Sequence, residues 1–306
     1  MLSAAALHAS WHALVKSSDD QLTVLTGMSL VAALVAALFL PFVALPPAAV
    51  WPVLVLSLFF HSGYRFSLAQ AYTHGDLGAA YPLARGLVPI VTMAIGVWAL
   101  GQVPSHGQLA GVVVISTGVC WLALEAVRQF QGKLLLAGAG AGAGAMVAGY
   151  SVLDSYGVTL SRDWLSFTVW LIVIDSGSFV LLMFLLRGRA LGGELAAVRQ
   201  RTLLSGLLGV LSFAVFLWAL SRGPVGAVTA LRQTSILFAV LIGMFLYREK
   251  RTFHRVAAAA LIIGGVMLIA SSWQMLLHAT RVIRRNNLDM RMHIRRFTRY
   301  ANPISN

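Results

Sequence analysis

The sequence predicts an all-α integral membrane protein of ten transmembrane helices, arranged as two inverted five-helix repeats. Three observations carry that expectation. The 306 residues are 58% hydrophobic and only 11% charged, whereas a soluble domain carries roughly 25% charged residues. Apolar stretches close to the ~20 residues needed to cross ~30 Å of hydrocarbon recur along the whole chain. And one unusual stretch, Gly75 to Pro89 (GDLGAAYPLARGLVP), returns 148 residues later as Gly223 to Leu237 (GPVGAVTALRQTSIL).

The apolar stretches fall at roughly 1–16, 22–45, 50–72, 77–100, 107–126, 134–158, 164–187, 202–221, 225–247 and 253–274. The first is short. It begins almost directly at Met1 without a charged leader region or a cleavage site, and reads as a membrane segment rather than a removed signal peptide. The separators are brief and polar, and none is long enough for a soluble domain. The mean hydropathy of +0.81 fits such a chain. The lone cysteine, Cys120, lies in an apolar run and excludes an internal disulfide.

The repeat extends beyond the opening stretch. Gly75 matches Gly223, Gly78 matches Gly226, Ala79 matches Ala227 and Leu83 matches Leu231, and Ala71 ahead of the first copy matches Ala219 ahead of the second. With one gap, Leu77 to Leu124 aligns with Val225 to Ala270. Five helices per unit place the second unit upside down relative to the first, and transporters built this way hold substrate between the repeats. The expected units are residues 1–127 and 133–272, followed by a basic tail at 273–306. The alternating Ala/Gly run Ala137 to Ala145 is expected to give a smooth face for close helix contact.

Net charge is +13. The tail from Arg281 onward holds seven arginines and one acid, a pattern suited to anionic lipid headgroups rather than nucleic acid. The short loops and the tail give opposing votes on orientation, so the sides of the termini stay open.

Three parts of the chain resemble the EamA-type drug/metabolite transporters: GDLGAAYPLARGLVP, the stretch Ala230 to Lys250 (ALRQTSILFAVLIGMFLYREK) and Ala6 to Lys16 (ALHASWHALVK). The similarity covers about residues 1 to 272. It implies two five-helix repeats, a central cavity and transport of small metabolites, often export, with coupling commonly to protons. It implies no enzyme activity, no cofactor, and a multi-pass location in a bacterial inner membrane. Two positions depart from the family pattern. Trp11-His12 replaces the usual Trp-Asn, and Gln102 replaces the first of two loop glutamates, the second being Glu249.

Charges inside apolar helices are functional candidates because they are costly in lipid. Arg85 and Arg232 come first. A guanidinium offers a planar fork of donors that suits a carboxylate or phosphate, so the pair would favour an anionic or zwitterionic metabolite. The other reading is that each caps backbone carbonyls or pairs with an acid. Tyr81, with Pro82 and Pro89, marks an irregular helix of the kind that lines transport sites. Tyr64, His12 and Gln233 are further substrate-contact candidates. Arg65 is a candidate too, although pairing with Asp154 or Asp175 is favoured for it. Asp154 and Asp175 are the acids deepest in apolar runs, and both are candidates for proton coupling. His8 and His12, four apart on one helix face, fit a cavity-facing polar pair better than a metal site. The tryptophans fall mostly near segment ends, as an interfacial belt does, with Trp170 and Trp218 deeper. A polytopic enzyme acting on lipid-linked substrates and a non-transporting membrane subunit remain as alternatives. Oligomeric state is not legible.

Overall fold

The computed structural model describes residues 2–74, 81–129, 133–245, 253–254 and 256–272. All regular structure among them is helical. In chain order the helices are α1 (Leu2–Lys16), α2 (Gln21–Ala37), α3 (Trp51–His74), α4 (Val88–Leu100), α5 (His106–Gln129), α6 (Lys133–Ser161), α7 (Trp164–Arg187), α8 (Ala190–Ala197), α9 (Arg199–Leu220), α10 (Val225–Arg232) and α11 (Thr234–Phe245), and α12 (Val256–Ser272). Residues 75–80, Glu249 and the tail at 273–306 lie outside the described residues.

Among the described residues six spans are long and apolar enough to cross a membrane: Gln21–Phe42, Tyr81–Leu100, His106–Glu125, Leu134–Ser161, Trp164–Arg187 and Arg199–Leu220. Their outward faces carry large apolar side chains, among them Leu34, Trp98, Leu124, Leu185 and Leu203, each more than half exposed. Exposed apolar surface of that extent belongs against lipid.

The helix ends follow from local chemistry. Asp20 accepts a hydrogen bond from Thr23 N at 3.0 Å and caps α2, and Asp163 accepts from Leu165 N at 3.0 Å and caps α7. Gly101, with φ +61°, ends α4, and Gly188, also with φ +61°, ends α7. Gly101 is left-handed, the conformation glycine supplies at least cost, and the positive φ of Gly188 likewise favours glycine.

Four boundaries differ from the sequence expectation. The second segment does not run to residue 45: α2 stops at Ala37, and Leu40–Phe42 and Ala48–Val50 form 3-10 turns around the prolines. The polar separator after Arg187 holds a short helix, α8, whose Leu191 is buried beside Phe179 and Met183. The remaining two differences are breaks, one in the stretch ahead of α4 and one between α10 and α11.

In the first, a helical turn at 81–83 gives way to a non-helical link at 84–87 before α4 begins. Pro89 has no N–H to offer the Arg85 carbonyl. That carbonyl accepts Val88 N at 3.3 Å, while Pro82 O accepts both Arg85 N and Gly86 N. The second break holds no proline. Gln233 N donates to Ala230 O and Ile236 N to Gln233 O, a tightened turn. Thr234 Oγ1 and Ser235 Oγ bond back to Leu231 O and Arg232 O at 2.8 Å each. Such hydroxyl back-bonding bends helices.

Packing pairs the helices across the chain. α3 lies along α6, α1 along α9, α2 along α7, and α10 along α4, while α1 also meets α11 and α6 meets α4. Small residues permit the close crossings. A Cβ on Gly226 would come within 2.6 Å of Met93 Cα. Within the Ala/Gly run, a Cβ on Gly140 would meet Leu83 Cβ at 2.6 Å, and Gly144 faces the Ala84 carbonyl. The smooth face of α6 therefore lies against the first helix break.

At one end of the bundle Arg187 ties three elements together. It donates to Asp20 Oδ2 at 2.6 Å, to Thr23 Oγ1 at 2.6 Å and to Glu194 Oε2 at 2.7 Å. Partial burial would raise the Asp20 carboxyl, but the Arg187 and Thr23 hydrogen bonds outweigh it and hold the pKa at about 2. The folded value lies below the ~3.9 of a free Asp, so this contribution to stability is complete above that value and is lost as pH falls toward 2. The difference in melting temperature between the parent and an Asp20→Asn protein should therefore be constant from pH 6 to 8 and shrink below pH 4. A difference that holds unchanged down to pH 2 would contradict it.

Candidate functional site

A cleft of about 90 Å³ opens among α2, α3, α7 and α9. One wall is apolar: Leu25, Met28, Ala32, Ile172, Val210 and Phe213. The other carries Trp11, His61, Tyr64, Arg65, Tyr150, Asp175 and Arg232. Several charged and aromatic candidates thus converge from helices distant in sequence.

They do not all reach the cavity. Arg232, Tyr64 and Arg65 line it. Arg85, 1% exposed, stands behind the lining. Its Nη2 lies 2.5 Å from His8 Nε2 and 3.4 Å from Tyr64 Oη, and its guanidinium lies over the rings of Tyr64 and Tyr81 at 5.9 and 5.5 Å. Tyr81 is fully buried, its hydroxyl 2.6 Å from Ser235 Oγ. This links the start of one broken helix to the start of α11 in the other. Thr92 and Thr229 make a second such link at 2.7 Å. Gln233 is buried, and neither polar atom of its amide has a partner among the described residues.

Arg232 occupies the last position of α10, directly at the break. Its guanidinium lies 4.1 Å from the centre of the Phe216 ring, a cation–π arrangement. Nη2 lies 3.3 Å from His8 Nδ1. Nε and Nη1 have no partner among the described residues, and neither does Arg85 Nε. Buried polar groups are nearly always satisfied, so these open N–H groups, the cationic ones among the unpartnered buried atoms of the described residues, leave capacity for an anionic acceptor.

α1 contributes Trp11 to the lining and sets His8 and His12 behind it. His12 stacks on Trp11 with ring centroids 3.6 Å apart. Its Nδ1 lies 2.5 Å from Tyr72 Oη and its Nε2 3.1 Å from His8 Nε2. Trp11 is buried and donates to His8 Nδ1 at 3.0 Å, so it does not belong to the interfacial belt. Trp170 and Trp218 do not line the cavity. Trp170 donates to Ala44 O at 3.1 Å, and Trp218 is 41% exposed. No group of three metal-ligating side chains occurs among the described residues.

The acids are engaged differently. Arg65 and Asp175 form a bidentate ion pair, Nη1 to Oδ1 at 3.0 Å and Nη2 to Oδ2, with Arg65 also over the Phe179 ring at 4.7 Å. Asp154 is fully buried. It accepts Ser57 Oγ at 2.6 Å and lies 3.2 Å from His61 Nε2, and His61 stacks on Tyr150 at 4.1 Å. His61 therefore stands between Asp154 and the cavity. His8 and His12 do pair, but behind the lining rather than facing the cavity, whereas His61 and Trp11 line it. The available signal was their polarity within apolar runs.

Breaking a buried ion pair leaves an uncompensated charge, at a cost of about 3–5 kcal/mol, whereas replacing both partners by apolar residues is often neutral. An Asp175→Asn protein should therefore melt well below the parent in detergent, and the double variant Arg65→Met/Asp175→Leu should recover most of the loss. Equal melting of the single variant and the parent would show that the pair does not stabilise the fold.

Comparisons place this geometry among known proteins. No curated protein matches the chain. A solved structure described only as "Crystal structure of protein" superposes with a TM-score of 0.65 at 18% identity, covering 88% of this chain and 95% of that one. That likeness is one of fold. The model of the EamA-like transporter family matches residues 134–271, from the start of α6 to the end of α12. The chain is a multi-pass membrane protein, and its residues 134–271 are similar to the EamA-like transporter family.

Proposed function

We propose that the protein moves small anionic or zwitterionic metabolites across the membrane by alternating access between two inverted five-helix repeats, most plainly as an exporter. The observation that carries this reading is the pair of buried guanidiniums, one at each helix break, with N–H groups that have no acceptor among the described residues. A non-transporting subunit would be expected to satisfy its interior charges mutually, and Arg232 at the cavity wall is not so satisfied. A polytopic enzyme would need a clustered nucleophile, acid or base at the membrane surface, and the site instead offers binding groups at depth.

The ten-span arrangement takes in α1, α3, the pair α10–α11 and α12, which are shorter or more polar than the six long apolar spans. The packing supports two units at 1–127 and 133–272. If α1 to α5 correspond to α6, α7, α9, α10–α11 and α12, the contact of α3 with α6 maps onto that of α9 with α1. In the same way α1 with α11 maps onto α6 with α4, while α2–α7 and α4–α10 map onto themselves. Asp20 and Asp163 cap equivalent helices in this scheme. An inverted pair of this kind is the frame on which one repeat rocks against the other.

Within this reading Arg232 contacts the substrate's anionic group, and Tyr64 and Arg65 border it. Arg85, Tyr81, His12 and Gln233 form the layer behind. The apolar wall of Met28, Val210 and Phe213 receives the uncharged part of the substrate. Asp154 is the better proton-coupling candidate, because His61 links it to the cavity. Asp175 is committed to Arg65. The family and composition suit a bacterial inner membrane, with the tail at 273–306 on anionic headgroups.

Metabolites inside and outside cells that overexpress or lack the protein would reveal the substrate and the direction together. A hydrogen bond to a charged group contributes about 1.5–3 kcal/mol, and 1.4 kcal/mol is a factor of ten. Arg232→Ala, inserted at normal levels, should therefore reduce redistribution of the anionic compound by roughly ten- to a hundredfold. Undiminished redistribution by that variant would remove the anion reading.

A further inference from the structure

Two arginines stand apart from the other cations at the helix ends. Lys16 donates to Tyr72 O at 2.6 Å, Arg187 ties α7 to α2 and α8, and Arg201 donates to Ser17 O at 3.1 Å. Arg162, between α6 and α7, and Arg222, between α9 and α10, are exposed. Neither guanidinium has a hydrogen-bonded or ion-paired partner among the described residues. Arg222 lies over the Trp218 ring at 5.7 Å, a contact of the ring face that leaves its N–H groups able to donate. Arg162 also holds a strained backbone. With φ +59° it is the one non-glycine residue of positive φ among the described residues. The left-handed position after a helix usually falls to glycine or asparagine, and a larger side chain kept there points to a role beyond the turn.

The two side chains share one cleft. It measures about 350 Å³, larger than the central cleft, and is lined by Val158, Thr159, Arg162, Trp164, Ser221 and Arg222. Its hydroxyl protons are already engaged: Thr159 Oγ1 donates to Ser155 O at 2.9 Å and Ser221 Oγ to Trp218 O at 2.6 Å. The nearby carboxylate, Asp163, is not part of the lining and accepts Leu165 N and Ser166 N at the start of α7. The charged donors in the cleft are therefore two guanidiniums, a pair that suits the oxygens of a phosphate. No carboxylate among the lining residues is there to receive the ammonium of a zwitterionic headgroup.

Position in the membrane says which phosphate. The apolar spans Leu134–Ser161 and Arg199–Leu220 end at this cleft, and Trp164–Arg187 begins at it. That is the level of lipid headgroups, and Trp164 and Trp218 stand there as interfacial tryptophans do. Leu204, Leu207, Leu211 and Trp218 follow one face of α9 at helical spacing, each more than 40% exposed. This stripe runs from the hydrocarbon depth up to the cleft.

We propose that Arg162 and Arg222 form a binding site for the phosphate of an anionic phospholipid, whose acyl chain lies along the α9 stripe. The site is separate from the central cleft and does not depend on what that cleft binds.

Native mass spectrometry of the full-length protein in neutral detergent provides the test, with dioleoyl-phosphatidylglycerol or dioleoyl-phosphatidylcholine titrated in turn. The parent should retain phosphatidylglycerol more tightly. Each arginine should contribute about fivefold in affinity. Arg162→Gln/Arg222→Gln should therefore bind the first phosphatidylglycerol roughly twenty-five-fold more weakly, with phosphatidylcholine unchanged. Removing two charges from the tail, as Arg295→Gln/Arg296→Gln, should leave that binding within about twofold of the parent. Equal weakening by the two double variants would show that the lipid follows net charge and would overturn the site, as would equal retention of both lipids by the parent. Arg162→Gly loses one guanidinium and suits the left-handed backbone, so it keeps the test decisive should the first double variant fail to fold. It should bind phosphatidylglycerol about fivefold more weakly, and undiminished binding would overturn the proposal. Glycerol 3-phosphate at the lipid's concentration should leave the adduct in place. Displacement by it would assign the cleft to a soluble phosphate ester and overturn the lipid assignment.

Discussion

The structure depends on an excess of hydrogen-bond donors in a place with few acceptors. Two guanidiniums, an indole and two imidazoles meet around α1, and no carboxylate is hydrogen-bonded to Arg85 or Arg232 among the described residues. A buried charge without a partner is one of the costliest features a protein can hold. The fold tolerates it by laying the cations over aromatic faces, Arg232 on Phe216 and Arg85 on Tyr64 and Tyr81. Cation–π contact lowers the cost without neutralising the charge, so attraction for an anion survives.

The helix breaks deliver the arginines to that place. A continuous helix would present Arg85 and Arg232 as ordinary side chains on helix flanks. The break before α4 and the one between α10 and α11 put each guanidinium beside an interrupted backbone. Tyr81–Ser235 and Thr92–Thr229 tie the two irregular regions to one another. Gly226 and the small residues of α6 allow the crossings that bring them near. The device is therefore a set of short-range contacts between distant parts of the chain, and a change in any of them is felt by both arginines.

The charged groups divide into two kinds. Arg65–Asp175 is closed on itself, a bidentate pair with an aromatic beneath, and Arg187 with Asp20 and Glu194 is closed at the end of the bundle. These hold helices together. The His8 cluster is open, with donors exceeding acceptors, and suits binding rather than support. Asp154 with Ser57 and His61 lies between, a fully buried acid one side chain from the cavity.

The sequence alone determined the class of molecule, because hydrophobic length and scarcity of charge are properties of composition that no packing can reverse. It also located the unusual helices, since a proline and an arginine inside an apolar run are visible without coordinates. The pairing of Arg65 with an acid was expected for the same reason: a buried cation demands a partner. The second break was not legible from proline or glycine content. Thr234 and Ser235 carried the only trace of it, and hydroxyls in helices bend them only when they bond back to the chain. Which arginine faces the cavity was decided by tertiary structure alone. As sequence candidates the two arginines are alike, yet Arg85 lies behind Tyr64 and His8 while Arg232 lines the cavity. That outcome depends on where α1 sets its imidazole between helices more than 70 and 220 residues away in sequence, and no local pattern records such a position.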